Sequence, residues 1–250
     1  MKRLTLGTVG ILLAGPPAAA QSDIWWPTAP PLDLAMPFLL FAPELQPVLQ
    51  DLRKQAAPAA PVRWVVPKLT PLTAPEHARL SFTPSPQRRA ANLNAMIGRW
   101  QASNPAAAND FRQAMRQTDL FKDMATELQK YGLRVDNVAD AYAVYWINAW
   151  EAVNGVYTAG SKKQSQSVKV QVARAMLASG VLSKATDAQK QQLAEELLIQ
   201  AVLISAANET VQGDLDGQIA LAEGVDANAR QLGLDLTRMR LTEDGFAFPQ

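Results

Sequence analysis

The 250-residue chain contains no cysteine and a single histidine. Disulfides, thiol nucleophiles, iron–sulfur clusters and zinc sites built from cysteines are therefore excluded, as are metal centres with several histidines. The 13 glycines show neither P-loop nor dinucleotide-binding spacing, which excludes the usual phosphate-binding loops. With 24 basic and 23 acidic residues, the chain lacks the basic excess of a protein that binds nucleic acid by counterion release. We therefore expect no nucleic-acid partner.

The first twenty residues have the three parts of a secretory signal peptide. Lys2 and Arg3 supply the positive charge, residues 4–14 form an apolar stretch, and Ala18-Ala19-Ala20 matches the small-residue cleavage rule. The apolar stretch is too short to span a membrane, because a spanning helix needs about 20 apolar residues. We therefore expect cleavage before Gln21 and a mature chain that is periplasmic or secreted and has no transmembrane segment.

Proline divides the mature chain into two regions. Residues 27–86 contain thirteen prolines and no glycine, whereas residues 87–250 contain two prolines. Repeated proline favours extended, stiff backbone, so we expect residues 21–84 to form a Pro-rich arm that lies across a helical domain of residues 85–250. One short helix is predicted within the arm, at residues 44–55, because four apolar residues share one helical face: Leu45, Val48, Leu49 and Leu52.

Helical periodicity and capping signals run through residues 85–250. Ser85-Pro86 and Asn104-Pro105 each place a capping side chain before a first-turn proline, and Thr186 begins a capping box. Glycines follow several of the periodic segments, as is typical of helix C-termini. No strand-like alternation of useful length occurs before residue 234. The sequence predicts an all-α fold, a helical bundle of about six to seven helices preceded by the extended arm.

Residues 138–154 are apolar on nearly every helical face, which is typical of the central helix of a bundle. This segment carries Asp140 and Glu151, which with Glu195 are candidates for the acid and base of a hydrolase acting on cell-wall or glycan material. Eleven helical residues separate Asp140 from Glu151 by about 16 Å, whereas glycoside hydrolysis needs carboxyls about 5–10 Å apart. The competing interpretation is that these acids have structural roles.

Aromatic side chains supply a candidate surface for a ligand or a partner protein, because aromatic residues are enriched in interfaces. The alternative is that they fill the core of the bundle. The set comprises Tyr142, Trp146, Asn148 and Trp150 on the predicted central helix and Trp25, Trp26 and Trp64 in the arm. If they form a contact surface, the expected partner is another envelope or secreted protein.

Residues 212–223 match part of the pattern of a calcium-binding loop between two helices. Asp214, Asp216 and Glu223 occupy ligand positions of that pattern, but Gln212 stands where the first acidic ligand belongs. Two interpretations stay open: a calcium-stabilised helical protein, or a turn in which Asp214 or Asp216 caps the following helix. No cofactor other than Ca²⁺ is indicated.

Short motifs are spread over the second region, including Phe82-Thr83-Pro84-Ser85-Pro86, Tyr131-Gly132-Leu133, Asn137-Val138-Ala139-Asp140-Ala141-Tyr142 and Gly233-Leu234-Asp235-Leu236. Together they resemble a family of exported helical proteins from Gram-negative bacteria that is known only as a domain of unknown function. The resemblance covers about residues 82–248 and leaves the Pro-rich arm outside. It implies export and a helical fold, and it implies no reaction. The expected function is therefore a non-catalytic binding or interaction module of the bacterial envelope, with the hydrolase and the calcium-stabilised protein as alternatives.

Overall fold

The computed structural model describes residues 45–56, 63–64, 69–157 and 160–248. Its described part of the arm holds two helices, α1 (Leu45–Gln55) and α2 (Ala74–Leu80). The described residues after the arm form seven more: α3 (Pro86–Ser103), α4 (Pro105–Gln117), α5 (Leu120–Lys130), α6 (Val138–Val153), α7 (Lys162–Ser179), α8 (Asp187–Thr210) and α9 (Leu215–Gln231). A short 3-10 helix (Leu236–Arg238) leads into an antiparallel hairpin of β1 (Arg240–Thr242) and β2 (Gly245–Ala247). The all-α prediction is confirmed.

Side-chain caps begin several of these helices, as the sequence predicts. The Ser85 hydroxyl accepts a hydrogen bond from Arg88 N at the start of α3, and Thr186 forms a reciprocal capping box with Gln189 at the start of α8. Because the first N–H groups of a helix have no partner within it, such caps stabilise its first turn. A capping box between Ser161 and Gln164 also starts α7.

Helix α6 lies at the centre of the fold. Fourteen of its residues are buried, and α7, α8 and α9 pack around it. It runs parallel to α8, since both helices begin beside residues 81–83: Lys190 Nζ donates to Ser81 O at 2.6 Å, and Phe82 N donates to Asp136 O at 3.1 Å. A helix that is apolar on all faces needs such complete cover. Within the described residues, no helix combines the length and apolar character needed to cross a bilayer.

The described part of the arm packs on the helical domain. Helix α1 lies against α8 and buries the apolar face that its periodicity predicts. Helix α2, which we did not predict, begins with a capping box between Thr73 and Glu76. Arg174 of α7 joins this region to the bundle, because its Nε donates to Thr70 O at 3.0 Å and its Nη1 pairs with Glu76 at 2.5 Å.

Candidate functional site

Helix α6 carries most of the residues that the sequence proposes for function. Its start is determined by Asn137, whose side-chain oxygen accepts hydrogen bonds from Ala139 N at 2.9 Å and Asp140 N at 3.2 Å. The cap uses N–H groups that the helix cannot satisfy itself. From this point the helix holds its two acids and its aromatic row at positions set by the helical rise of about 1.5 Å per residue.

Asp140 is completely buried and is paired with α7. Lys169 Nζ lies 2.8 Å from its Oδ1, and Arg134 N donates to its Oδ2 at 2.9 Å. Burial raises the pKa of Asp140 to about 6, although the positive charge of Lys169 opposes the shift. Both carboxylate oxygens are therefore engaged in joining the first turn of α6 to α7 and to the preceding loop, which is a structural arrangement.

Glu151 lies in the last turns of α6 with 6% of its surface exposed. Burial alone raises the pKa of its carboxyl to about 8, and no described residue forms a hydrogen bond or an ion pair with that carboxyl. Glu151 and Asp140 lie on one continuous helix, about 16 Å apart along its axis. The structure therefore does not bring the two candidate acids together.

Glu195 is held in a buried polar cluster between α3 and α8. Its Oε1 accepts from Arg89 Nε and from Gln191 Nε2, both at 2.9 Å, and its Oε2 accepts from Asn92 Nδ2 at 2.7 Å. Hydrogen bonds donated by an arginine to a carboxyl group are among the stronger ones in proteins. This third candidate acid thus joins two helices and has no group beside it that is free to take or give a proton.

The aromatic row of α6, formed by Tyr142, Trp146 and Trp150, is covered by side chains from the arm and from the C-terminal hairpin. Trp64 of the arm stacks on Tyr142 at 4.7 Å between ring centres and meets the edge of Trp146 at 5.4 Å. Phe246 of β2 stacks on the same indole at 4.5 Å and meets Trp150 at 6.1 Å. The three helix-spaced aromatic residues of α6 therefore form a packed layer with two rings that are distant in sequence.

Hydrogen bonds fix this aromatic layer. Gln171 of α7 donates from Nε2 to Trp64 O at 3.1 Å and to Phe246 O at 3.0 Å, and its Oε1 accepts from Phe246 N at 2.9 Å. Trp64 Nε1 donates to Leu232 O at 3.2 Å, and Trp150 Nε1 donates to Met239 O at 3.0 Å. A ligand or partner reaches this surface only if the arm or the hairpin moves.

Most of the described residues of the predicted aromatic contact surface are buried in the fold. Asn148 is buried and donates from Nδ2 to Val144 O, one turn earlier in its own helix, at 2.8 Å. Trp150 is half-buried, whereas Trp64, Tyr142 and Trp146 are buried. Trp25 and Trp26 lie outside the described residues.

The segment proposed for calcium is mostly helical. Asp214 is the residue before α9, Asp216 lies in the first turn of that helix, and Glu223 lies more than one turn further along it. These acids therefore point outward at different heights of a helix instead of converging from an open loop, and no group of three acidic or histidine side chains suited to a metal occurs among the described residues. The Asp214 carboxylate packs against Gly217, where a Cβ would lie 2.6 Å from its Oδ2.

The described surface also has an open cleft, of about 400 Å³, between α3 and the connection from α4 to α5. We call it the Arg89 cleft. Four of its lining residues are apolar, and we call them its floor; the other five are polar and include two arginines. The lining residues are Arg89, Leu93, Met115, Arg116, Gln117, Thr118, Asp119, Leu120 and Phe121. Sequence reasoning missed it, because its residues come from two segments that only the packing of α3 on α4 and α5 brings together. The one local signal was the Asp119 cap that separates α4 from α5.

The fold and these sites define a class: an all-α protein whose central helix is covered by an N-terminal arm and a C-terminal hairpin. A family model described as "Family of unknown function (DUF6683)" matches residues 34–249, so the chain belongs to that family. The match extends well before residue 82, and it therefore includes α1, Trp64 and α2 of the arm. No curated protein and no solved structure matches the chain.

Proposed function

We propose that this chain is an exported, non-catalytic binding protein of the bacterial envelope. Export is supported by the charged start, apolar stretch and small-residue cleavage site of residues 1–20. A binding role is supported by the placement of the acids, since Asp140 and Glu195 are held in ion pairs and hydrogen bonds that join helices. Charged groups used in this way stabilise a scaffold, so Asp140 and Glu195 are not free carboxyls for acid–base chemistry.

The Arg89 cleft is the observation that carries the proposal. Its volume of about 400 Å³ lies in the range of ligand sites, which span about 300–1,000 Å³, and its lining combines four apolar with five polar residues. Arginine and aromatic side chains, which both contribute to this cleft, are also the residues most enriched in binding hot spots. The cleft offers contacts for recognition, and the hydroxyl and the carboxylate in its lining already have partners: Thr118 Oγ1 donates to Asp123 Oδ2 at 2.5 Å, and Asp119 Oδ1 accepts from Lys122 N at 3.2 Å.

One observation favours the hydrolase instead. Glu151 has a pKa raised to about 8 by burial, and a carboxylic acid that stays protonated at neutral pH is a suitable proton donor. Against this, its nearest candidate partner on α6 lies about 16 Å away, and 6% exposure leaves little access for a polymer. We therefore retain the hydrolase as the second candidate.

Capture from native envelopes tests the proposal. Tagged chain is expressed with its N-terminal region, cross-linked in the envelope and purified, and co-purifying proteins are identified by mass spectrometry. We expect the purified chain to begin at Gln21 and one partner to be present at a fixed ratio. The matched variants are Arg116→Ala, in the Arg89 cleft, and Arg112→Ala, one turn earlier on α4 and outside it.

The outcomes separate the two candidate functions. Loss of the partner in Arg116→Ala and its retention in Arg112→Ala would support binding through the cleft. Repeated absence of any partner, together with turnover of cell-wall material that Glu151→Gln abolishes, would contradict the proposal and favour the hydrolase.

A further inference from the structure

Two contacts restrain the Arg89 side chain and leave the terminal nitrogens of its guanidinium without a hydrogen bond among the described residues. Its Nε donates to Glu195 Oε1 at 2.9 Å, and its Cζ lies 4.3 Å from the centre of the Phe121 ring. No contact to its terminal nitrogens is seen among the described residues, and 28% of the side chain is exposed. Because the ring and the carboxylate already restrict the side chain, Arg89 loses little conformational entropy when a ligand binds the outer edge of its guanidinium.

Arg116 supplies a second cation to the same cleft. It lies in the last turn of α4, is exposed, and pairs with no acid among the described residues. Asp119, which also lines the cleft, accepts a hydrogen bond from Lys122 N at 3.2 Å and caps α5, and it forms no ion pair with Arg116 within the described residues. The guanidinium of Arg116 is therefore available at the edge of the cleft.

The charge of the Arg89 cleft and its apolar floor together determine which ligands fit it. Residues 86–130, which contain the cleft, hold seven basic and four acidic residues, and Glu195 and Glu196 of α8 pair with two of these basic residues, Arg89 and Arg99. The apolar floor is formed by Leu93, Met115, Leu120 and Phe121. A bare phosphate would leave the apolar floor exposed to water. A ligand with an apolar group and one anionic group would cover the floor and also contact the arginines.

We propose that the Arg89 cleft binds a carboxylate attached to an apolar group. The carboxylate lies between the guanidinium groups of Arg89 and Arg116, whose planar donors suit carboxylate oxygens, and the apolar group covers the floor. Two sources offer this chemistry: a free aryl or alkyl acid, and the C-terminal residue of a peptide. This inference rests on the proposed binding function and specifies the ligand chemistry of its site.

Titration of the ¹⁵N-labelled mature chain tests the proposal. The probes are 4-phenylbutyrate for the free acid and Ala-Ala-Phe for the peptide C-terminus, each compared with its neutral amide. We expect saturable shifts of the Leu120 and Phe121 amide signals with at least one acid and with neither amide. Whichever acid binds more tightly identifies the source.

Variants connect the binding to the arginines. Arg116→Ala should weaken the binding of that acid at least tenfold, whereas Arg112→Ala should leave it within twofold of the wild type. Arg116 is used because it has no buried partner, so its removal leaves the Glu195 cluster intact. No saturable shift with either acid, equal binding of the amides, or unchanged binding in Arg116→Ala would each overturn the inference.

Failure of this inference is distinguishable from failure of the proposed function. A partner that is captured equally by the wild type and by Arg116→Ala would overturn the cleft as the binding site and leave the binding function standing. Capture of no partner, together with turnover of cell-wall material that Glu151→Gln abolishes, contradicts the proposed function, whereas failure of both acids to bind overturns only this inference.

Discussion

A carboxyl group buried without a cation is costly to ionise, and Glu151 is such a group. Its pKa of about 8 in the folded chain compares with an ordinary value of 4.5. The folded chain therefore holds a proton at Glu151 that the unfolded chain releases between these two values. By linkage, stability from this group is complete below pH 4.5 and is lost as the pH rises toward 8.

Glu151→Gln should remove this pH dependence. Between pH 5 and pH 8 the free energy of unfolding of the wild type should fall relative to the variant, by up to about 1.4 kcal/mol per pH unit. Urea unfolding of both proteins at pH 5 and pH 8 measures the difference. Tyr157, which faces Glu151, does not titrate in this range because its pKa is raised to about 12, foremost by burial.

The exposed residue Glu223 provides the control for this measurement. Glu223→Gln makes the same chemical change on the surface of α9. Its free energy of unfolding should match that of the wild type at both pH values. If the wild type and Glu151→Gln lose stability in parallel from pH 5 to pH 8, Glu151 is ionised in the folded chain, and the burial argument is wrong.

At the scale of elements, the structure joins segments from opposite ends of the chain over one face of α6. Trp64 of the arm and Phe246 of the hairpin both pack on Trp146, and Gln171 Nε2 donates to the backbone carbonyls of both. Aromatic contacts of this kind contribute about 0.5–1.5 kcal/mol each beyond the area they bury. The attachment of the arm to the bundle therefore depends strongly on one tryptophan.

Trp64→Ala should destabilise the chain by about 3–5 kcal/mol, because it removes a buried aromatic ring and leaves a cavity beside Tyr142. The variant also leaves Leu232 O without the indole donor. Urea unfolding at pH 7 measures the loss. Arg63→Ala, which changes the exposed neighbouring residue, should have the same unfolding midpoint as the wild type. Equal midpoints for Trp64→Ala and Arg63→Ala would show that the arm contributes nothing through this ring.

At the scale of the whole molecule, the arm and the helical domain share one hydrophobic core. The cluster of buried residues that contains the central helix also includes Leu45 and Leu52 of α1, Leu80 of α2, and Trp64 between these two helices. A chain whose core is continuous is expected to unfold as one cooperative unit. The arm is accordingly part of the folded structure, as the extent of the family match also indicates.

Deletion of residues 21–80 should therefore lower the melting temperature markedly, because it removes α1, α2 and the ring that covers Tyr142. Thermal unfolding followed by circular dichroism compares the deletion variant with mature chain 21–250. For the mature chain, circular dichroism and tryptophan fluorescence should report one coincident transition. An unchanged melting temperature after the deletion would mean that the arm is a separate, partner-binding segment.

Sequence by itself determined the helices, because the forces that begin and end them are local. The caps at Ser85 and Thr186 and the apolar face of α1 act over three to seven residues, and such spacing is visible in one dimension. The same reasoning placed the acids of α6 about 16 Å apart, since helical rise alone determines that separation. Helix α2 escaped prediction because seven residues are too few for periodicity to show.

Only the tertiary structure decided what each of these helices faces. It paired Trp64 with Tyr142, surrounded Glu195 with donors from two helices, and brought Arg89 and Arg116 to one cleft. The partners in each case lie far apart in the chain, so their meeting depends on how helices pack and not on local spacing. Burial is decided in the same way: the acids of α6 are ordinary carboxyls in the sequence, and the neighbouring helices that exclude water from them raise their pKa values.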